Sequence, residues 1–139
     1  MDDKFNFNRV LQNLEKVKSD LPVLLSNEAK NFFSGSWKNQ GFTNSSLQSW
    51  APRKKETKKT VGKSIMVGTG KLRRAVQDSV REKTWSKIRL VIDGSSIPYA
   101  KRHNEGLDGM PKRQFMGDSK ELRKIQRKTI TKTVDKIFK

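Results

Sequence analysis

The sequence holds one histidine, His103, and no cysteine, so the side chains that most often perform acid–base, nucleophilic and metal chemistry are nearly absent. His103 precedes Asn104 and Glu105 in a segment with several glycines, where a single imidazole is more often structural than catalytic. A metal site needs two or more ligands at a workable spacing, and the remaining candidates are carboxylates. A hydrolase that uses His103 and a nearby acid is therefore the least favoured of three functional hypotheses.

Motifs for phosphate and nucleotide chemistry are also missing. The sequence contains no Walker loop, no dinucleotide-binding glycine pattern and no nucleophile elbow, and the single Gly68-Thr69-Gly70 is a weak signal. The acids of the central region have no diagnostic spacing: Asp78, Asp93, Glu105 and Asp108. We predict that the protein is not an enzyme, with no catalytic, metal or cofactor-binding residues, no cofactor and no small-molecule substrate.

The charge of the chain is extreme and unevenly distributed. Its 139 residues contain 31 Lys and Arg against 14 Asp and Glu, which gives a formal net charge of +17. A chain with this charge repels itself and favours a polyanionic partner. Residues 1–50 carry six basic and five acidic side chains, so the N-terminal third is suited to packing against protein, and the rest presents the positive surface.

Two basic patterns are candidates for contact with a partner or DNA. Residues 53–63 carry six bases against Glu56, which predicts either a solvated, mobile loop or a phosphate-contacting arm whose binding weakens with salt. On the predicted C-terminal helix a lysine recurs every four residues from Lys124 to Lys136, which is typical of a solvated face or of one that meets an acidic neighbour or nucleic acid. The candidate interface or DNA-facing residues are Arg53, Lys54, Lys55, Lys58, Lys59, Arg73, Arg74, Lys112 and Arg113.

These residues must be positioned by a segment rich in turn residues, from Ile97 to Gly117. It contains the only tyrosine, the only histidine, two prolines and three glycines, which predicts an ordered loop between packed elements. Tyr99 and Phe115 are expected to anchor this loop to the sheet. The candidate structural anchors of the whole chain are Trp37, Trp50, Tyr99, His103, Gly106 and Phe115.

Apolar periodicity places helices at both ends of the chain. Val10, Leu14, Val17 and Leu21 follow a possible cap at Asn6 or Asn8, and Pro22 makes this two helices or one kinked helix ending near Gly35. At the other end Asp118 or Ser119 caps a helix that runs to residue 139.

Between the helices the pattern predicts a loop, a short helix and a hairpin. Residues 36–64 have loop composition with aromatic anchors, and Thr69-Gly70 precedes a capped turn of helix at 71–74. Extended segments around 76–80 and 88–92 flank Trp85, which favours an antiparallel hairpin. The expected fold is α+β: a small antiparallel β-sheet packed by N-terminal and C-terminal α-helices, with a long basic loop.

We expect one domain over residues 1–139, divided into a helical N-terminal region (1–35), a long basic loop (36–64), a short helix, hairpin and Pro/Gly-rich loop (65–117) and a C-terminal helix (118–139). The first residues carry acids where a signal peptide needs bases, and no apolar run approaches transmembrane length. The sequence therefore predicts a protein that is used or assembled in a cytoplasm, without a membrane partner.

Five segments in series resemble the virion morphogenesis (tail completion) proteins of tailed bacteriophages and prophages. In that family the third segment reads Thr-Gly-x-Leu-Arg, the fourth reads Pro-Tyr-Ala, about three residues, then His or Gln and Gly, and the fifth reads Pro-x-Arg-x-Phe. The segments of this chain are Phe32–Phe42, Ser49–Lys55, Val67–Val76, Ile97–Gly106 and Pro111–Gly117.

The resemblance implies an α+β structural component of the virion, at the tail or the head–tail joint, which works as a ring of identical subunits. It implies as partners other copies of the chain and other phage tail or connector proteins, with assembly in the bacterial host cytoplasm and no catalytic residues. A basic surface repeated around a ring would line a channel through which double-stranded DNA could pass. The alternative hypothesis is a free-standing basic nucleic-acid-binding protein.

Overall fold

A computed structural model describes residues 5–139; the predicted N-terminal helical region also includes residues 1–4, which lie outside this range. The helices and strands confirm the α+β class. In chain order they are α1 (Phe7–Asn39), β1 (Gly41–Thr43), β2 (Leu47–Ser49), α2 (Lys71–Gln77), β3 (Val80–Lys83), β4 (Ile88–Leu90), α3 (Ala100–Glu105) and α4 (Lys120–Asp135), which is followed by a 3₁₀ turn (Lys136–Phe138).

Helix α1 is the longest element and continues through Pro22 to Asn39. Asn6, one of the two predicted caps, begins the helix: its side chain accepts a hydrogen bond from the backbone N–H of Arg9. Of the two predicted alternatives, two helices were wrong, because a single helix continues through Pro22. The predicted end near Gly35 was also wrong, because Ser36 and Trp37 continue the buried face of the helix past Gly35. The helix ends at Gln40, which has left-handed backbone angles and donates its N–H to the last turn.

The strands form two separate antiparallel hairpins, whereas one sheet was expected. The hairpin β3–β4 confirms the predicted pair around Trp85, but residues 71–77 are helical, so Val76 lies on α2. Val76 and Leu72 are both buried, which fits the i, i+4 spacing of one helix face. The hairpin β1–β2 lies inside the predicted 36–64 loop and was missed, because strands of three residues leave too little alternation to detect.

Helix α1 is the centre of the packing: it contacts both hairpins, α2 and α4. Helix α4 runs antiparallel to it, because Asn13 hydrogen-bonds the carbonyl of Ile137 while Gln126 hydrogen-bonds the carbonyl of Leu25. The main core contains Ala29, Phe33, Trp37, Phe42, Trp50, Leu72, Val76, Ile97, Ala100, Phe115 and Leu122. A second, smaller cluster of Val17, Leu21 and Ile137 lies between the far ends of α1 and α4.

The segment from Ile97 to Gly117 is ordered, but it contains α3 as well as loops. Asn104 accepts hydrogen bonds from the backbone N–H groups of Phe115 (2.9 Å) and Met116 (3.0 Å), so its amide joins the two ends of this segment. The N–H of Arg113 donates to the carbonyl of His103 at 2.8 Å. Within residues 5–139 no helix is long and apolar enough to span a membrane.

Candidate functional site

A cavity of about 310 Å³ brings together residues from four distant parts of the sequence. Its lining consists of Arg53, Thr60, residues 65–69 and 71–72, Tyr99, His103 and Arg113. Four of the five segments on which the predicted resemblance rests contribute residues to this lining.

The aromatic anchors predicted from sequence lie in the core beside this cavity. The ring centroid of Trp37 is 5.6 Å from that of Trp50 and 5.3 Å from that of Phe115, and all three side chains are buried. The indole N–H of Trp37 donates to the carbonyl of Met66, in the cavity lining, at 3.0 Å, and that of Trp50 donates to the carbonyl of Gln114 at 2.8 Å. These contacts hold the cavity wall on a rigid base.

Arg113, one of the candidate interface or DNA-facing residues, lies in the cavity wall and is only 8% exposed. Its Nε donates to the carbonyl of Ala51 at 2.9 Å and its Nη2 to that of Pro52 at 3.3 Å. Burial and, to a smaller extent, the charge of Arg53 lower the pKa of Arg113 from its usual value. A guanidinium nevertheless stays charged at neutral pH, so this position holds a buried positive charge.

Arg53 is half-buried and folds back on its own loop. Its Nη2 donates to the carbonyl of Ser64 at 2.6 Å and its Nη1 to the carbonyl of Lys63 at 3.0 Å, which closes residues 53–64 into a loop. The guanidinium of Arg53 is therefore directed at its own loop, unlike the other charges of the basic run. The four lysines of that loop remain exposed: Lys54, Lys55, Lys58 and Lys59.

His103 and Tyr99 form the remaining polar wall, with ring centroids 6.0 Å apart and an edge-to-face arrangement. The Nδ1 of His103 is buried and has no hydrogen-bond partner among residues 5–139. Burial first, and the charge of Arg113 second, lower the pKa of His103 below its usual 6.5, so the imidazole is neutral at neutral pH. Tyr99 is 36% exposed, whereas the other expected anchor of this segment, Phe115, is buried and donates its backbone N–H to the side chain of Asn104.

The other predicted residues lie outside the cavity lining. Arg73, Arg74 and Lys112 are exposed, and Gly106 ends α3 with a φ of 71°.

Two residues that help to build the site were missed. Lys71 lines the cavity and donates its Nζ to the carbonyl of Ser96 at 2.9 Å; its place directly after Thr69-Gly70, at the start of the predicted turn of helix, could have drawn attention to it. Gln40 accepts from the N–H of Ile65 at 2.8 Å and donates to the carbonyl of Trp37 at 2.7 Å, but nothing in its sequence context marks it.

The arrangement favours anion binding over covalent chemistry. Among the lining residues, all of which lie in the described part of the chain, three are permanently cationic and none is acidic. No group of three or more potential metal-ligating side chains occurs in residues 5–139. The hydroxyl of Thr60 hydrogen-bonds Thr57 of its own loop.

A second feature is an exposed apolar surface along the antiparallel helix pair. We call it the helix-pair surface, and its residues are Phe7, Leu11, Val23 and Leu24 of α1, Ile125 and Ile130 of α4, and Phe138 of the 3₁₀ turn. Phe7 is 62% exposed and Phe138 is 66% exposed. Half of the large apolar side chains that are exposed in residues 5–139 lie on these elements, and the others, among them Val61, Trp85 and Leu107, lie elsewhere. Exposed apolar side chains of this size can be covered by another protein.

Comparison of the chain with protein-family models, with curated proteins and with solved structures finds no match.

Proposed function

We propose that this protein is a structural assembly protein of the virion morphogenesis type, which acts in tail completion or head–tail joining as a ring of identical subunits. The observation that carries this proposal is the helix-pair surface. Between the outer parts of the two helices the fully buried cluster is small, with Val17, Leu21 and Ile137, and the apolar residues packed against it are only partly buried: Val10, Leu14, Leu25 and Val134. A neighbouring copy that covers the outer faces would complete this burial.

The position of the family-like motifs supports the same proposal. Trp37, Trp50 and Phe115 lie in the core, so the residues that carry the resemblance build the body of the protein. A subunit of a structural assembly depends on a rigid core that keeps its contact surfaces in place, more than on a reactive centre. Its further partners in this proposal are phage tail or connector proteins, and its location is the virion, assembled in the bacterial host cytoplasm.

Removing the apolar character of the helix-pair surface tests the proposal. We expect the wild-type chain to form one closed oligomer and the Leu11→Asp/Phe138→Asp variant to elute as a monomer with an unchanged circular dichroism spectrum. Light scattering coupled to size-exclusion chromatography measures both masses. Leu47→Asp is the matched control, because Leu47 is 49% exposed but lies on β2. A wild-type chain that is monomeric at every concentration and salt level overturns the proposal.

Contact with duplex DNA, within a ring or by a free-standing module, is a second candidate function favoured by a separate observation. Within residues 5–139 only four ion pairs occur, and they involve Lys87, Arg89, Arg102 and Arg123. Most of the 31 basic side chains therefore have no acidic partner in the described part of the chain. The lysines of the 53–64 loop and those of α4 are exposed and suited to phosphates.

Salt dependence of binding distinguishes this candidate. Duplex affinity should fall steeply with salt, and replacing Lys54, Lys55, Lys58 and Lys59 by Ala should reduce the logarithmic slope by about 0.9 per lost phosphate contact. A matched variant removes the same charge from α4 and the 3₁₀ turn by replacing four other lysines with Ala: Lys124, Lys128, Lys132 and Lys136. Binding that is absent, or that does not respond to salt, removes the candidate.

A further inference from the structure

The cavity holds cations whose charges are not neutralised within the described part of the chain. Arg53, Lys71 and Arg113 all line it, and none of them is among the residues that form ion pairs in 5–139. Positive charges gathered in a partly buried space repel one another, and the repulsion is stronger there than in water. A bound anion would relieve it, which makes the cavity selective for negative ligands.

The two arginines of the cavity still have N–H groups that can donate to such an anion. Arg113 uses Nε and Nη2 on the carbonyls of Ala51 and Pro52, and no hydrogen bond is recorded for its Nη1 within residues 5–139. Arg53 uses Nη1 and Nη2 on its own loop, and its Nε has no recorded partner in that range. A guanidinium that is already oriented by carbonyls loses less conformational entropy when it binds an oxygen anion.

The imidazole of His103 gives an independent indication of a ligand. Its Nδ1 is shielded from solvent without a hydrogen-bond partner among residues 5–139, and buried polar atoms are rarely left in this state. The imidazole lines the cavity, and a turn of its ring would bring this nitrogen to a ligand oxygen there. As an N–H donor, Nδ1 would then bind the same kind of oxygen that the arginines bind.

The rest of the lining suits a flat, apolar group beside the anion. Ile65, Met66, Val67 and Leu72 line the cavity together with the exposed ring of Tyr99. Aromatic rings and apolar side chains are the groups on which proteins stack nucleobases. The volume of about 310 Å³ is at the small end of the range for ligand pockets, which admits a mononucleotide but not a duplex.

We propose that this cavity binds one nucleotide unit, with its phosphate at Arg53, Lys71 and Arg113 and its base against Tyr99. The phosphate group can arrive on a free mononucleotide or on the end of a single strand. The site binds and does not catalyse, and it is independent of the assembly role proposed above.

The single histidine and single tyrosine make the test direct. The ring signals of His103 and Tyr99 can be followed by NMR in the full chain while inorganic phosphate, a mononucleotide, a short single strand or sodium chloride of equal ionic strength is added. An anion beside His103 stabilises the imidazolium, so phosphate should raise the pKa of His103, against the lowering influence of Arg113; Arg53, Lys71 and Tyr99 are the other titratable groups in the lining. The base should in addition shift the Tyr99 signals.

Tighter binding of the mononucleotide or the single strand than of inorganic phosphate supports the proposal, and the tighter of the two identifies the source. A mononucleotide that binds no better than phosphate overturns the nucleotide assignment. Equal responses to phosphate and chloride at equal ionic strength overturn the site itself.

A matched pair of variants locates the binding. Lys71→Gln should weaken mononucleotide binding about tenfold, as expected for the loss of one charge-assisted hydrogen bond. Lys101→Gln removes the same charge from an exposed position on α3 outside the lining and should change the affinity little. Arg113→Lys keeps the buried charge and should retain part of the affinity with a folded spectrum. Equal effects of Lys71→Gln and Lys101→Gln overturn the assignment of the cavity.

Discussion

Arg53 and Arg113 have the same residue type as many other positions of this basic chain, yet their guanidinium groups hydrogen-bond the backbone between residues 51 and 64. Both arginines thereby fix the path of the chain after the β1–β2 hairpin. Composition alone cannot separate such residues from surface charges, because the distinction depends on which carbonyls the fold brings within reach.

Also at the residue scale, Gly106 combines left-handed backbone angles with a close approach of main-chain atoms. Its φ is 71°, and a Cβ atom there would lie 2.8 Å from the Cβ and 2.9 Å from the Cα of Lys112. Gly106→Ala should therefore combine backbone strain with a clash against main chain and lower the free energy of unfolding by about 3 kcal/mol. Urea denaturation of the purified variant measures the loss.

Two other glycines distinguish the effect of backbone strain from that of the steric clash. Gly109 has a φ of 75° with open space around it, so Gly109→Ala should cost about 1–2 kcal/mol from strain alone. Gly94 lies outside the left-handed region and also has open space, so Gly94→Ala should be neutral or stabilise by about 0.5 kcal/mol. Similar losses for all three variants would contradict this interpretation.

At the scale of elements, the start of α4 is joined to the first hairpin by Ser119 and Asn44. Ser119 accepts from the N–H of Leu122 at 3.1 Å, which confirms it as one of the two predicted caps, and donates to the carbonyl of Thr43 at 2.6 Å. Asn44, in the turn of the hairpin, accepts from the N–H groups of Lys120 (2.9 Å) and Glu121 (3.0 Å). Ser119 is 2% exposed, so its hydroxyl both caps the helix and makes a buried contact with β1.

Ser119→Ala should cost about 2 kcal/mol, because it removes the cap and leaves the carbonyl of Thr43 without this partner. Asn6→Ala at the start of α1 is the matched control: that cap is exposed and joins no second element, so its loss should cost about 1 kcal/mol or less. Thermal and urea unfolding give both values. Equal costs would show that the bond to Thr43 contributes nothing to stability.

At the scale of the whole molecule, repulsion among like charges lowers the stability of the folded chain, because its formal net charge is +17. The midpoint of thermal unfolding should rise when sodium chloride increases from about 0.01 M to about 0.15 M, because the screening length falls from about 30 Å to about 8 Å. The Lys54, Lys55, Lys58 and Lys59 to Ala variant should show a smaller rise, since it carries less charge to screen. A midpoint that does not change, or that falls, with added salt would contradict this expectation.

The chain by itself determined the features that depend on local pattern. The α+β class, the helices at both ends and the hairpin around Trp85 follow from periodicity and turn chemistry over a few residues, as do the two pairs of candidate caps that include Asn6 and Ser119. The extension of α1 to Asn39, the short hairpin β1–β2 and the helical placement of Val76 did not follow, because packing against distant residues outweighed local preference.

The sequence likewise marked Arg53, Tyr99, His103 and Arg113 as notable, but it assigned them to a surface and to loop anchors. Only the tertiary structure placed them around one cavity with Lys71, because segments separated by tens of residues meet there. Charge is a property of each residue and can be counted in the sequence. Whether a charge meets solvent, a carbonyl or another charge depends on how the chain returns on itself, and that is decided by packing over its whole length.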